Sequence, residues 1–252
     1  MREVHEAVAP LLAEFTGRLA DVVSPVAVWA HGSLALGDFR PGISDLDLIA
    51  VVGAAADDAQ QDALTHLHRS LEARFPPAEK LHCSYLARDA LADTRARHVT
   101  WAHRRLFARP VTEVTRRELH SGGLVLLGPP PGRLLPPVSD AELAAFVRAD
   151  LRDFWLPATA APLRWLQDVW VDLGMLTLAR ATVTLADGRL LTKGQALDTL
   201  TAMNAPPSVV ADIRARRYAT PLPLTLPARL HRAHTTRRYL RRTLKSTLSA
   251  PS

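Results

Sequence analysis

The sequence predicts an α+β protein in which strands and helices share the first part and helices alone make up the second. Two observations support this division. Short apolar runs bounded by turn residues, the pattern of buried strands, occur at residues 26–30, 44–52, 80–86 and 124–127. Beyond residue 138, apolar residues recur at helical spacing instead. We therefore expect a sheet-containing domain followed by an all-helical domain.

Helices are predicted between the strands of the first part. Apolar residues recur at helical spacing over residues 11–22 and 55–75, and a short helix is expected over residues 34–37. Proline follows each of the two longer segments, at Pro25 and at Pro76-Pro77, and stops further helical growth. We expect residues 89–120 to be mainly helical, with a break at Pro110.

A proline-rich segment at residues 129–137 is the predicted linker, because proline stiffens the chain and removes backbone donors. The predicted domains are residues 1–137 and residues 138–252. Ser139, with Glu142 three residues later, is the predicted N-cap of the helix that opens the second domain. Further helices are predicted over residues 165–185, 193–203, 208–216 and 226–248.

The composition is that of a globular protein. A chain of 252 residues that is 48% hydrophobic and 22% charged can bury a substantial core. Its single cysteine, Cys83, cannot form an intramolecular disulfide, so a reducing cytoplasm suits the sequence best. No apolar run reaches the length of about 18 residues that a membrane-spanning helix needs, and no apolar leader follows Met1. We expect a cytoplasmic protein that does not enter a membrane.

The net charge points to anionic ligands. A formal charge of +6 and an isoelectric point near 10.2 favour encounters with polyanions such as nucleotides. Much of the excess lies between Arg229 and Lys245, a segment without acidic residues. Two interpretations of that segment remain open: a solvated cationic face on the last helix, which we favour, and a contact with phosphate or RNA.

A pair of acidic residues is the most informative feature. Asp45 and Asp47 lie two positions apart in a predicted strand, so both carboxylates are expected on one face, roughly 7 Å apart along the chain. Magnesium prefers oxygen ligands and usually takes one or two carboxylates, with phosphate oxygens and water completing the octahedron. Asp45 and Asp47 are therefore the candidate metal ligands.

A glycine and two serines are the candidate phosphate contacts. Gly32 lets the backbone approach a phosphate without an intervening side chain, and Ser33 offers a hydroxyl at the start of the predicted short helix. Ser44 could add a second hydroxyl donor, although a turn role is equally compatible with its position. Gly-Ser and Asp-x-Asp are each common, but their succession on two predicted strands indicates a nucleotidyltransferase site.

These motifs together resemble the DNA polymerase β-like nucleotidyltransferase superfamily. More narrowly, and over most of its length, the chain resembles the aminoglycoside 3''-adenylyltransferase family. The resemblance rests on residues 31–33, 44–47, 117–121 and 126–129 in the first domain and on residues 176–180, 187–193 and 215–218 in the second. It implies a polymerase β-like domain with a small mixed sheet, joined to a C-terminal helical domain.

The resemblance also implies an activity. Members transfer AMP from ATP, in the presence of Mg²⁺, to a hydroxyl of an aminoglycoside, with release of pyrophosphate, and thereby confer antibiotic resistance. The residues that match Arg180 and Lys193 touch the ATP phosphates from the helical domain, and Tyr218 resembles a tyrosine near the nucleotide after a shift of one residue. We expect a monomer whose partners are a nucleoside triphosphate and a small hydroxyl-bearing acceptor, not nucleic acid.

One position departs from the family pattern. The family places a third carboxylate on the next strand, as the base that takes the proton of the acceptor hydroxyl, and this chain has His82 there. Histidine can act as a general base near neutral pH but is a poor magnesium ligand. Two interpretations follow: His82 is the base of an active enzyme, or it marks a nucleotide-binding regulator with weak or no transfer.

The acceptor is less well defined by the sequence. Trp165, Asp168 and Asp172 lie on one face of a predicted helix and could offer stacking and charge to a polycationic acceptor, but we favour an amphipathic helix with a solvated acidic edge. The basic segment before Lys245 leaves open a transferase that acts on RNA or protein. These residues do not identify the acceptor or the hydroxyl that is modified.

Overall fold

The computed structural model of this chain describes residues 4–220 and 223–249. The chain divides between Val138 and Ser139 into two compact units. The first unit contains a six-stranded mixed sheet, and the second is built from helices, so the predicted α+β class is confirmed.

The sheet of the first unit has the strand order β5-β4-β3-β2-β1-β6. Strands β2 and β3 are parallel, and the other neighbouring pairs are antiparallel. The strands are β1 (Ala27–His31), β2 (Leu46–Val52), β3 (Leu81–Ala87), β4 (Arg97–Ala102), β5 (Arg105–Pro110) and β6 (Leu124–Leu127). Parallel neighbours need a crossover connection, which a helix between β2 and β3 supplies.

Helices cover both faces of this sheet. They are α1 (Ala9–Val23), the short α2 (Gly32–Leu36), α3 (Asp58–Arg74) and α4 (Glu113–Gly122). Helices α1 and α3 pack on the face that carries Val28, Ala30 and Leu48. Trp29 and Ile49, which alternate with those residues, lie in a second core with Leu119 of α4. The polar residues discussed below project from this second face.

The second unit consists of successive helices. They are α5 (Asp140–Asp150), continued by a π-helical turn (Leu151–Trp155) into the one-turn α6 (Leu156–Ala158), then α7 (Asp168–Asp187), α8 (Lys193–Ala202), α9 (Pro207–Tyr218) and α10 (Leu226–Ser249). Capping boxes begin α5 at Ser139 and α8 at Thr192, where a side-chain oxygen accepts the backbone N–H three residues later. A 3₁₀ helix (Pro162–Leu166) precedes α7.

Residues 89–120 are not mainly helical, so that prediction is wrong. Residues 97–110 form the β4–β5 hairpin, and α4 begins only at Glu113. His98 and Thr100 face one side of β4, whereas Val99 and Trp101 face the other, which is strand alternation. The two-residue turn requires the left-handed conformation, for which glycine or asparagine is usual. Here His103 (φ 51°) and Arg104 (φ 62°) adopt it instead. The turn signal was therefore missing from the sequence.

Helix α7 is long and apolar enough to cross a membrane by length and composition. Core helices of globular domains meet the same criteria, and 44% of the apolar window of α7 is buried inside the protein. Val171, Met175 and Leu178 are among its buried residues. The apolar residues of α7 thus pack in the core of the helical unit.

A buried histidine in the first unit predicts sensitivity to acid. His68 of α3 stacks on Trp101 with ring centroids 4.6 Å apart, and its Nε2 lies 2.6 Å from the hydroxyl of Tyr85. Burial, with a smaller effect of His82, lowers the pKa of His68 from 6.5 to about 3. Above pH 6.5 the ring is neutral in both states; between pH 6.5 and about 3 only the unfolded chain takes up this proton.

We therefore expect the free energy of unfolding to fall as the pH drops from 6.5 towards 3, with up to one proton bound per unfolded molecule from this site. Denaturant titrations at a series of pH values measure this slope. His68→Leu removes the titrating ring. In this variant the unfolding free energy should fall less steeply with pH, by an amount that corresponds to the uptake of up to one proton. An unchanged slope would contradict the assignment.

Candidate active site

Three polar residues stand in one row across the central strands. The register pairs His31 at the end of β1 with Asp47 of β2, and pairs Asp47 with His82 of β3. Residues that are directly opposite in a sheet project from the same face, which here is the face that α4 covers. The sheet thereby brings together residues that are 35 positions apart in the sequence, Asp47 and His82.

The carboxylate of Asp47 is the centre of this row. Its Oδ1 lies 3.5 Å from Nδ1 of His82, and the Asp47 side chain is 32% exposed while that of His82 is 11% exposed. Asp47 is therefore accessible to a ligand, whereas His82 presents only a small surface beside it. On the other side, Nδ1 of His31 lies 3.2 Å from Oε2 of Glu118 in α4.

Gly32 lies directly against this carboxylate. Its backbone has φ +62°, which favours glycine, and a Cβ atom at this position would stand only 3.0 Å from Oδ2 of Asp47. Ser33 follows within α2, where its carbonyl oxygen accepts the backbone N–H groups of Gly37 and Asp38. The Gly-Ser bend and one carboxylate of the predicted pair therefore share one location.

Asp45 and Ser44 occupy the turn that leads into β2. The strand begins at Leu46, so strand alternation does not fix the direction of the half-buried Asp45. Ser44 is buried, and its Oγ accepts the backbone N–H of Arg40 at 3.0 Å. This hydrogen bond gives Ser44 a place in the turn, and its contact with a nucleotide stays a prediction.

The helical unit brings two of its three candidate residues together. Lys193 is the first residue of α8 and Tyr218 is the last residue of α9. The Tyr218 hydroxyl lies beside Gly194, where an added Cβ would meet it at 2.7 Å. Arg217 donates from Nε to the same hydroxyl at 3.2 Å. Arg180 lies in α7, half-buried.

Comparisons with known proteins identify a family for part of the first unit. Residues 12–97, which include His31, Gly32, Asp47 and His82, match the family model described as "Nucleotidyltransferase domain". This segment is a nucleotidyltransferase domain. No curated protein sequence matches the chain.

A solved structure extends the likeness in fold to both units. The spectinomycin adenyltransferase AAD(9) from Enterococcus faecialis, crystallised with ATP and spectinomycin, superimposes with a TM-score of 0.69. The match covers 96% of this chain and 100% of that chain at 14% sequence identity. At this identity the comparison shows a shared fold.

The nucleotidyltransferase domain has donor atoms that suit magnesium. Among residues 4–220 and 223–249, no group of three or more His, Cys, Asp or Glu side chains could by itself hold a metal ion. Magnesium does not need such a group, because it commonly binds through one or two carboxylates plus phosphate oxygens and water. The accessible carboxylate of Asp47, with Asp45 two residues before it, fits that requirement.

Two residues of the site were not singled out from the sequence for any role. His31 and Glu118 are 87 positions apart, yet they form a close pair at the end of β1 of the nucleotidyltransferase domain. No local signal marks Glu118, because the sequence around it is mainly polar and its burial, which requires a partner, is visible only in the fold. The identity of that partner depends on the fold.

The predicted acceptor residues have structural partners inside the helical unit. Trp165 lies in the 3₁₀ helix before α7, is fully buried, and donates from Nε1 to the carbonyl oxygen of Ala158. Asp172 pairs with Arg216 at 2.5 Å, and Asp168 pairs with Arg232 at 2.7 Å. Burial is the largest influence on the pKa of Asp172 and raises it. The three do not form the exposed helical face that the sequence predicted.

Gly32 offers a test of the contact with Asp47. We expect Gly32→Ala to weaken binding of Mg-ATP about tenfold, because the methyl group presses on Oδ2 of Asp47 and because the left-handed backbone costs alanine about 1 kcal/mol. Isothermal titration calorimetry measures the affinity. Gly37→Ala is the matched control: Gly37 has φ +79° but nothing within 4 Å of its added Cβ, so only backbone strain changes. Equal losses in both variants would argue against the contact.

Proposed function

We propose that this chain is an adenylyltransferase, which transfers AMP from ATP to a hydroxyl of a small, aminoglycoside-like acceptor and releases pyrophosphate. The observation that carries the proposal is the position of the Asp47 carboxylate, which lies against the Gly32 bend and beside His82. This arrangement supports the proposal, because a metal ligand (Asp47), a phosphate contact (Gly32) and a base (His82) would then act near one end of two parallel strands. We further propose a monomeric protein in the cytoplasm.

Asp45 and Asp47 would hold Mg²⁺ through their carboxylate oxygens. Bound there, the ion would neutralise negative charge on the triphosphate during transfer. Gly32 would admit the phosphates close to the backbone, since it has no side chain of its own between the bend and Asp47. Ser33 and Ser44 are the proposed hydroxyl contacts, and Arg180, Lys193 and Tyr218 are the proposed nucleotide contacts of the helical unit.

His82 is the proposed general base. The proton of the acceptor hydroxyl moves to a ring nitrogen of His82 as the hydroxyl oxygen bonds to the α-phosphorus. The bond from the α-phosphorus to the bridging oxygen breaks, and its electron pair leaves with pyrophosphate. Asp47, 3.5 Å from Nδ1 of His82, stabilises the imidazolium that forms. The acceptor therefore does not have to lose its proton directly to water.

The test is the release of pyrophosphate from ATP over a panel that contains spectinomycin and aminoglycosides. Asp45→Ala serves as the control, since it removes one proposed metal ligand. Acceptor-dependent release by the wild-type chain, abolished in the variant, is the expected outcome. No release with any acceptor, together with measurable Mg-ATP binding by calorimetry, would instead support a nucleotide-binding regulator.

A second candidate, transfer to RNA or protein, is favoured by one observation in the helical unit. A groove with a volume of about 330 Å³ runs along α10 and is lined by basic side chains: His234, Arg237, Arg238, Arg241, Arg242 and Lys245. Phosphate contacts release counterions, so RNA binding here would weaken steeply as salt is raised. Affinity for RNA that is absent or independent of salt would remove this candidate.

A further inference from the structure

The pair formed by His31 and Glu118 lies at the edge of the candidate site. Nδ1 of His31 is 3.2 Å from Oε2 of Glu118, and the two side chains are only 13% and 8% exposed. A carboxylate so deeply buried is costly unless it is paired and hydrogen-bonded. The pair thus holds α4 to the end of β1, two elements that pack against each other.

His31 lies directly beside the Gly-Ser bend. It is the last residue of β1, it lies opposite Asp47 in the strand register, and it immediately precedes Gly32. The backbone turns sharply there, from an extended conformation at His31 to φ +62° at Gly32. A contact that restrains the His31 side chain therefore acts on the residue at which the bend begins.

Glu118 lies on α4, which hydrogen bonds of Arg116 hold in place. Arg116, two residues earlier in α4, is buried and donates to the backbone carbonyl oxygens of Val111, Leu91 and Asp93. These bonds anchor α4 to the segments that flank the β4–β5 hairpin. The carboxylate of Glu118 therefore has a defined place from which to orient the imidazole.

We propose that Glu118 is a positioning residue, which acts through His31 to hold the Gly32-Ser33 bend against Asp47 and so shapes the triphosphate site. The inference rests on the proposed function, because it needs a nucleotide to bind there. When ionised, Oε2 of Glu118 can only accept, so an Nδ1–H of His31 that donates to it fixes the ring orientation. Residues that orient a metal ligand without touching the metal typically change metal affinity or activity by about 10–100-fold when removed, and we expect an effect at the lower end of that range here.

The test measures binding of α,β-methylene ATP with Mg²⁺ by calorimetry, so that no acceptor and no turnover are needed. Glu118→Ala should weaken binding at least tenfold, or about 1.4 kcal/mol. Glu118→Gln should stay within about threefold of wild type, because its amide oxygen still accepts the Nδ1–H. Glu113→Ala, an acid-to-alanine change on the same helix, should leave the affinity unchanged.

A second variant keeps the test independent of the stability of Glu118→Ala. His31→Phe preserves a ring at this position but removes the donor, and it should weaken binding as much as Glu118→Ala does. In the double variant the two losses should not add, since Glu118 acts only through His31. Wild-type affinity in His31→Phe, or additive losses, would overturn the inference. A wild-type chain that does not bind the nucleotide at all would instead refute the proposed function.

Discussion

Asp47→Asn should lower the rate of acceptor-dependent pyrophosphate release about 10³-fold, the size of effect seen when one preorganised electrostatic contact to a transition state is lost. The amide has nearly the shape of the carboxylate but no charge, so it binds more weakly the magnesium ion that would offset charge on the triphosphate. The substitution is at a partly exposed position, 32% accessible, so the fold should tolerate it. Initial rates at saturating Mg-ATP measure the effect.

The control for Asp47→Asn is Asp62→Asn, the same change at an exposed position of α3. Its rate should equal that of the wild type. Thermal unfolding of both variants separates a loss of activity from a loss of folded protein. A rate for Asp47→Asn within tenfold of wild type would exclude Asp47 as an essential ligand of the magnesium ion.

His82→Ala should lower kcat about 10²-fold with a true acceptor, since a positioned base typically contributes 10²- to 10⁴-fold. The affinity for Mg-ATP should change little, because the proposed role of His82 concerns the acceptor proton. Single-turnover rates over saturating acceptor concentrations measure the chemical step. Full activity of the variant would rule out His82 as the base.

A neighbouring histidine provides the control for that experiment. His103, in the turn of the β4–β5 hairpin, is exposed, and its ring centroid lies 5.0 Å from that of His82 in an edge-to-face contact. His103→Ala removes an imidazole from the same neighbourhood without removing the proposed base. We expect its kcat to stay within about twofold of wild type, as is usual for exposed substitutions.

Local patterns predicted the parts of the site that depend on local structure. Gly32 directly follows β1 and Asp47 lies in β2, so the succession of the two motifs on neighbouring predicted strands was enough to predict that they meet. The adjacency of Asp47 and His82 needed the resemblance as well, because a helix of 17 residues separates their strands. Asp45 was expected inside the strand but precedes it, as strand ends are poorly defined by composition.

Pairs between distant segments could not be predicted from local patterns. The acidic residues of α7 looked like a solvated edge, yet Arg216 and Arg232, which neutralise them, come from α9 and α10. The β4–β5 hairpin was missed because its turn uses His103 and Arg104 in place of glycine. In each case the residues that meet depend on the fold, and the periodicity of one segment carries no information about them.

The parallel pairing of β2 with β3 limits the insertions and deletions that this protein can accept during evolution or engineering. A slip of β3 by a single residue would present Leu81 or Cys83 opposite Asp47 and turn the imidazole of His82 to the opposite face of the sheet. Insertions or deletions in the connection that contains α3 are therefore tolerated only where the loops accommodate them without changing the register of β2 and β3. Libraries that vary this crossover should recover active clones whose strand alignment is intact.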